Sequence, residues 1–257
     1  MRPPLWTLVA IPILAALGWF LLMQPATPAR QDTTQQEQHL LLCTASGKDC
    51  IHLESTPHYV ISVTFPNTRG REQQVIEQAL AQHVDQFKAD LDVMLSAAEK
   101  ARLEQAGRKY EFTIQYKPYS GSGYNSYEFD LYIDTGGAHP NSSFETLVFT
   151  AAGKEVQLAD LFLPAQAGKP GSRYLDRLSA ESYTQVRARL AERLGEVTPD
   201  MEETVRLGTS PSPETLQNFL IDGQTLVILI PPYQAAAYAA GSFAVRIPLS
   251  SLKDILR

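Results

Sequence analysis

Residues 40 to 257 predict an α+β fold, an antiparallel sheet covered by one long and one medium helix. Three observations predict it. Ile76, Leu80, Val84, Phe87, Leu91, Met94, Leu95 and Ala98 recur at three- and four-residue intervals, the spacing of one helix face. Tyr110, Phe112, Ile114 and Tyr116 alternate with polar residues, as do Tyr127, Phe129, Leu131 and Ile133, which is the period of half-buried strands. Short turns, not helical crossovers, separate most of the strand-like segments, so neighbouring strands form hairpins.

Taken in order, ordered structure should begin near Leu40. Pro57 to Phe65 is rich in β-branched and aromatic residues and ends at Pro66-Asn67, so it reads as a strand. One helix is expected from about Arg71 to Ala106, stopped by Gly107. The alternating strands follow, joined by a loop from Pro118 to Ser126. Phe144 to Thr150 and Glu155 to Leu158 are expected strands turning through Ala151-Ala152-Gly153-Lys154. A second helix spans about Ser172 to Leu194, with Leu175, Leu178, Val186, Leu190 and Leu194 inward and Gly195 past its end. Glu196 to Pro213 is polar and reads as short turns. Phe219 to Ile221 and Thr225 to Ile230 flank Asp222-Gly223-Gln224 as a hairpin. Ser242 to Pro248 should close the sheet, and Leu249 to Leu256 form a last helix. The whole is one domain, or two intimate halves divided as 40–135 and 136–257.

Ahead of it, Leu5 to Met23 is a run of 19 residues without a charge, long enough as a helix to span roughly 28 Å of hydrocarbon. An uncleaved membrane anchor is the expectation. A cleaved signal peptide is the alternative, but the run is long for one and Gln24 to Ala29 offers no clean cleavage site. Residues 1–4 would stay cytoplasmic by virtue of Arg2 and the terminal amine. Residues 24–39, rich in Pro, Thr, Gln and Ala, read as a solvated linker. These features place the bulk of the chain outside the cytoplasm, on a single-pass tether. The chain carries 22 Lys+Arg against 28 Asp+Glu, a formal charge of −6. That balance disfavours nucleic acid and favours a basic partner.

Cys43 and Cys50 are the only cysteines, and in an oxidising compartment such a pair closes a small disulfide loop. His39 and His52 supply metal-ligand spacing poorly, so neither a metal nor a cofactor is expected. Asp134-Thr135-Gly136 has the look of an aspartic protease triplet. That chemistry needs two carboxyl groups sharing a proton, and the chain holds one such triplet. No zinc-protease H-E-x-x-H, nucleophile elbow or phosphate loop is present. Catalysis is therefore not expected.

Two segments carry a resemblance: Gly136-Gly137-Ala138-His139-Pro140-Asn141, and Pro231-Pro232-Tyr233-Gln234-Ala235-Ala236-Ala237-Tyr238-Ala239-Ala240-Gly241. With the intervening Phe149 to Phe162, they resemble the RsiV-like extracytoplasmic domain family over about residues 57–257. That family includes a membrane-bound anti-sigma factor that senses lysozyme, and related domains precede peptidoglycan deacetylase modules. The resemblance implies a bacterial cell membrane, an extracytoplasmic fold and a ligand such as lysozyme, itself a basic protein, or the cell envelope. Four residues before the span could not hold a sigma factor, and the sequence ends at Arg257 without a deacetylase module, so neither output is expected.

Six residues are candidate ligand contacts. Tyr119 and Tyr124 lie in a Tyr-, Ser-, Gly- and Asn-rich loop, the composition of adaptable recognition surfaces. His139 and Asn141 complete the glycine turn, where His139 is a structural hydrogen-bonding residue or a ligand contact. Tyr233 and Tyr238 sit in an irregular loop expected to pack on that turn, as core tyrosines or as binding residues. The functional expectation is a tethered domain that recognises lysozyme or senses the envelope. A peptidoglycan-binding module acting through Tyr119 and Tyr124 is the alternative, and a hydrolase using Asp134 or His139 the third reading.

Overall fold

The computed structural model describes residues 38–43, 47–164 and 173–257. The 5–23 run and most of the 24–39 linker lie outside them. Among the described residues, no helix is long and apolar enough to cross a membrane.

The α+β class holds, but the strands form two sheets where one was expected. The first has six strands in chain order: β1 (Gln38–Cys43), β2 (Asp49–Ser55), β3 (Tyr59–Pro66), β4 (Tyr110–Gly121), β5 (Tyr124–Asp134) and β6 (Asn141–Thr150). All neighbours are antiparallel except β3 and β4, which run parallel. The β3–β4 pairing follows from the chain between them. Helix α1 (Gly70–Met94) and helix α2 (Ala97–Ala106) form a crossover that returns it in the same direction. Cys43 and Cys50 face each other at the end of the β1–β2 pair and are joined as expected.

The single helix expected over 71–106 is broken at Leu95 and Ser96. Ser96 leaves the helix and its hydroxyl accepts from the Glu99 backbone N–H, a cap that starts a new helix. Only the front of the apolar pattern is buried: Ile76, Leu80, Phe87 and Leu91 pack on the sheet, whereas Met94 and Ala98 are exposed. Gly107 ends α2 at φ 61°, as its position predicts.

Against one face of the sheet, α1 buries Ile61, Val63, Phe65, Phe112, Ile114, Phe129 and Leu131. The other face meets the C-terminal half. There α3 (Arg173–Leu194) and α4 (Pro199–Gly208) cover a three-stranded sheet of β7 (Phe219–Asp222), β8 (Thr225–Ile230) and β9 (Phe243–Pro248). Helix α4 corrects the expectation of turns over 196–213. Its signals are Thr198, whose hydroxyl accepts from Met201 N–H, Pro199 in the first turn, and a fully buried Val205. Leu194, expected inward, is half exposed. Glu155 to Leu158 is no strand. One bridge, Phe149 to Glu155, precedes a 3-10 turn at Leu158–Leu161. The last helix reduces to a 3-10 turn at Leu249–Leu252.

The two sheets meet edge to face. Backbone N–H groups on the open edge of β7 are satisfied by side chains of the larger sheet: Phe219 N–H donates to Thr146 Oγ1 and Ile221 N–H to Ser126 Oγ, both at 3.0 Å. A free edge is thereby closed without a tenth strand. Gly121 makes the approach possible, since a Cβ there would lie 2.1 Å from the Gly223 carbonyl oxygen.

Candidate functional site

The loop expected from Pro118 to Ser126 does not exist as a loop. Strands β4 and β5 pair through it, Pro118 opposite Tyr127 and Tyr119 opposite Ser126, leaving a two-residue turn of Ser122 (φ 50°) and Gly123 (φ 83°). Two positive φ values in succession suit the twist of a tight hairpin, so loop-like composition gave way to strand pairing. Tyr119 is half-buried and donates to Glu128 Oε2 at 2.7 Å. Burial and that carboxylate push its hydroxyl pKa up to about 12. Tyr124 packs against the C-terminal core. Both lie on the paired strands of a hairpin and are half-buried, not on the exposed loop expected to carry them.

The other four candidates divide differently. After β5 the chain bends through Asp134, whose Oδ1 accepts from Gly136 N–H at 2.8 Å, an Asx turn followed by Gly136 at φ 75°. Asp134 is thus a turn-forming carboxylate. His139 projects from the end of that turn and Asn141 begins β6 opposite Ile133, exposed.

The second loop, after β8, lands on this turn as its composition suggested. It is pinned from beneath. Gln234 Nε2 donates to the carbonyls of Gly208 and Thr215, both at 2.8 Å, and Ala235 is buried. Gly208, at the end of α4, has no room for a side chain, because a Cβ would sit 2.1 Å from the Gln234 carbonyl oxygen. Tyr233, next to the anchor, is driven to φ 70°, a left-handed conformation that bulky residues rarely adopt.

Three rings consequently gather in the open. His139 stacks on Tyr238 with centroids 4.0 Å apart and planes 14° from parallel, and Tyr233 lies 5.3 Å from Tyr238. The Tyr233 hydroxyl is 3.0 Å from His139 Nε2, and His139 Nδ1 is 2.8 Å from the Pro140 carbonyl. A carbonyl can only accept, so Nδ1 is the donor there; with that tautomer, Nε2 accepts a hydrogen bond from the Tyr233 hydroxyl. Tyr233 is 59% exposed, which overturns its reading as a core tyrosine, while Tyr238 is half-buried.

Sequence reasoning missed the neighbours of these rings. Tyr132 interacts electrostatically with Tyr238, and burial with nearby Asp134 raises its hydroxyl pKa. Its signal was an aromatic among Glu128, Asp130 and Asp134, the residues that alternate with the apolar ones along β5. Arg108 and Arg102 approach from the α2 end: a Cβ on Gly136 would lie 3.8 Å from an Arg108 terminal nitrogen and 3.9 Å from one of Arg102. Arg102 is paired with Glu99, whose carboxyl it and Tyr110 hold down near 2. Arg108 is exposed and has no carboxylate within 4.0 Å among the described residues. The arrangement offers flat apolar surface, a hydrogen-bonding hydroxyl and imidazole, and positive charge alongside. Among the described residues, no group of three or more side chains is disposed to hold a metal ion.

Residues 159–250 match the family described as a protein of unknown function, DUF3298. The match takes in the Tyr233 and Tyr238 loop and stops short of His139. No curated protein matches. Among solved structures, the chain is similar to a DUF3298 family protein from Pseudomonas aeruginosa PAO1, with 18% identity, a TM-score of 0.50, and coverage of 86% of this chain and 92% of that one. A DUF3298 member from Bacteroides fragilis is similar at 16% identity and TM-score 0.50, with the same coverage. These likenesses support the fold.

Proposed function

We propose that this protein is a membrane-tethered, extracytoplasmic binding domain that acts by contact, without catalysis, through the platform of His139, Tyr233 and Tyr238. The observation that carries the reading is Tyr233: a tyrosine 59% exposed and held at φ 70° has its ring fixed by neighbours rather than by burial. Strain of that kind costs on the order of 1–3 kcal/mol and clusters where a side chain must be presented to something. The uncharged run at 5–23 and the Cys43–Cys50 disulfide suit an exported chain.

Of the ligand classes the sequence raises, exposed rings favour a cell-wall glycan. The apolar C–H face of a sugar packs on an aromatic face and gains contact at low entropy cost. A basic protein such as lysozyme is the second reading, favoured by the formal charge of −6. Calorimetry on the full chain in detergent, against chitotetraose and against lysozyme at low salt, tests both. Tyr233→Ala should weaken glycan binding at least tenfold. Wild-type affinity in Tyr233→Ala and Tyr238→Ala would remove the platform from the reading, and tight binding of lysozyme alone would reverse the order of the two ligands.

A further inference from the structure

We infer that the platform is one half of a site for a carboxylate-bearing sugar, with Arg108 as the carboxylate's partner and Arg102 beside it. This rests on the glycan reading above and names the sugar's chemistry. Both guanidiniums reach the same spot, within 4 Å of where a Gly136 side chain would begin. Gly136 leaves that spot open, and His139, three residues on, carries the ring stack. A ligand lying on Tyr233 and Tyr238 and extending past His139 therefore meets positive charge at the turn.

Glu99 is engaged by Arg102 in a two-pronged contact of 2.8 and 2.6 Å and by the Tyr110 hydroxyl at 2.5 Å. Asp134 is engaged by Gly136 N–H, and Glu111 lies across the β4–β5 pair from Asp134. Lys109 donates to Ser55 Oγ on β2. Arg108 alone of the two arginines keeps its guanidinium uncommitted to a carboxylate among the described residues. Its planar fork matches a carboxylate with two parallel hydrogen bonds, which a lysine could not reproduce. A neutral saccharide would use the rings and leave Arg108 hydrated; an acidic one uses both.

The chemistry named is a carboxylate attached to a pyranose, as in the lactyl ether of a muramic acid residue. A free peptide carboxylate is the other source of the same group. Calorimetry on the full chain in detergent uses four probes: chitotetraose, an alternating N-acetylglucosamine and N-acetylmuramic acid tetrasaccharide, that tetrasaccharide with its carboxylates amidated, and N-acetyl-D-alanyl-D-alanine. The acidic tetrasaccharide should bind at least tenfold tighter than its amide. Arg108→Gln should erase that difference while leaving chitotetraose affinity within twofold, a readout that misfolding would not produce. Raising the salt should weaken the acidic tetrasaccharide and leave its amide and chitotetraose unchanged. Equal affinity for acid and amide, with chitotetraose still bound, would overturn the carboxylate assignment and leave the glycan reading standing. Competition by the dipeptide, without an effect of amidation, would overturn the sugar source. Failure of every saccharide to bind would sink both readings.

Discussion

Among the described residues, the six-stranded half buries three carboxylates, Glu54, Glu72 and Glu128, at 1%, 9% and 6% exposure, whereas the polar side chains buried in the C-terminal half are the hydroxyls of Ser182 and Thr209. Each buried carboxylate has a tyrosine. Tyr59 donates to Glu54 at 2.5 Å, Tyr127 to Glu72 at 2.6 Å and Tyr119 to Glu128 at 2.7 Å. Lys88 and Lys117 add positive charge at Glu54 and Glu128. The C-terminal core is instead a continuous apolar cluster running from Val148 through Leu175, Leu178 and Leu190 to Val245 and Ile255. One half thus depends on the exact placement of hydrogen bonds, and the other on close packing. The first will respond to pH and the second to cavities.

The contrast can be broken most forcefully in the packed half. Leu178→Ala, at a fully buried position, should destabilise by about 2–5 kcal/mol through lost contact and a residual cavity. Urea denaturation measures it, and a loss under 1 kcal/mol would mean that this core is loosely packed. Gly208→Ala adds a methyl group where the Gln234 carbonyl already stands. A cost of about 1–3 kcal/mol is expected from overpacking. The Tyr233 and Tyr238 loop should shift with it, seen as moved ring resonances in NMR spectra.

In the hydrogen-bonded half, Tyr127→Phe removes the donor from Glu72 while keeping the ring. An expected loss of about 1–3 kcal/mol reflects a buried carboxylate left short of a partner. Glu72→Gln combined with Tyr127→Phe should recover part of it in a double-mutant cycle. The pH response has a definite sign. Burial and carboxylate partners push the Tyr116 and Tyr119 hydroxyls up to about 12 and Tyr127 higher still. A raised hydroxyl pKa means that the folded state holds the proton. This stabilisation is present below the ordinary tyrosine value near 10 and is lost as pH rises through about 12. Tyrosinate absorbance and unfolding should rise together in that window, and independent titration near 10 would contradict the hydrogen-bonded picture. The smallest effect expected is at Ser182, whose buried hydroxyl has no partner among the described residues. Ser182→Ala should be neutral or stabilise by up to about 1 kcal/mol in thermal melts.

Much of this contrast was legible in the residues. The alternation at Tyr110 to Tyr116 marked β4 because one face is buried and the other is largely open, and the same alternation at Tyr127 to Ile133 marked β5 although its polar face, with Glu128, is covered too. Asp222-Gly223-Gln224 marked its hairpin, and Gly107 and Gly195 marked helix ends at positive φ. Ser96 was passed over because the apolar spacing continued through Met94, Leu95 and Ala98, and spacing does not reveal a cap. Helix α4 was missed because its ten residues span under three turns and offer only Met201, Val205 and Leu207 as large apolar side chains, although Thr198 and Pro199 were available as a start signal. For the candidate site, the two odd segments were rightly expected to meet, and His139, Tyr233 and Tyr238 stood out within them. Tyr119 and Tyr124 were misplaced because residues typical of loops also fill a tightly turned hairpin. Arg102 and Arg108 carried no signal at all, since surface arginines near a helix end are common.

By itself the sequence determined the class of fold, most of the strands and both principal helices, because these follow from repeating spacings of apolar residues along a short stretch of chain. It also supplied the disulfide pair, there being only one way to join two cysteines within the chain. Only the tertiary structure decided that the strands part into two sheets, that Gly121 and Gly208 are points of backbone contact, and that an imidazole and two phenols share one exposed face. Those outcomes depend on which distant segments touch, and local spacing contains no record of a contact between residues 139 and 233.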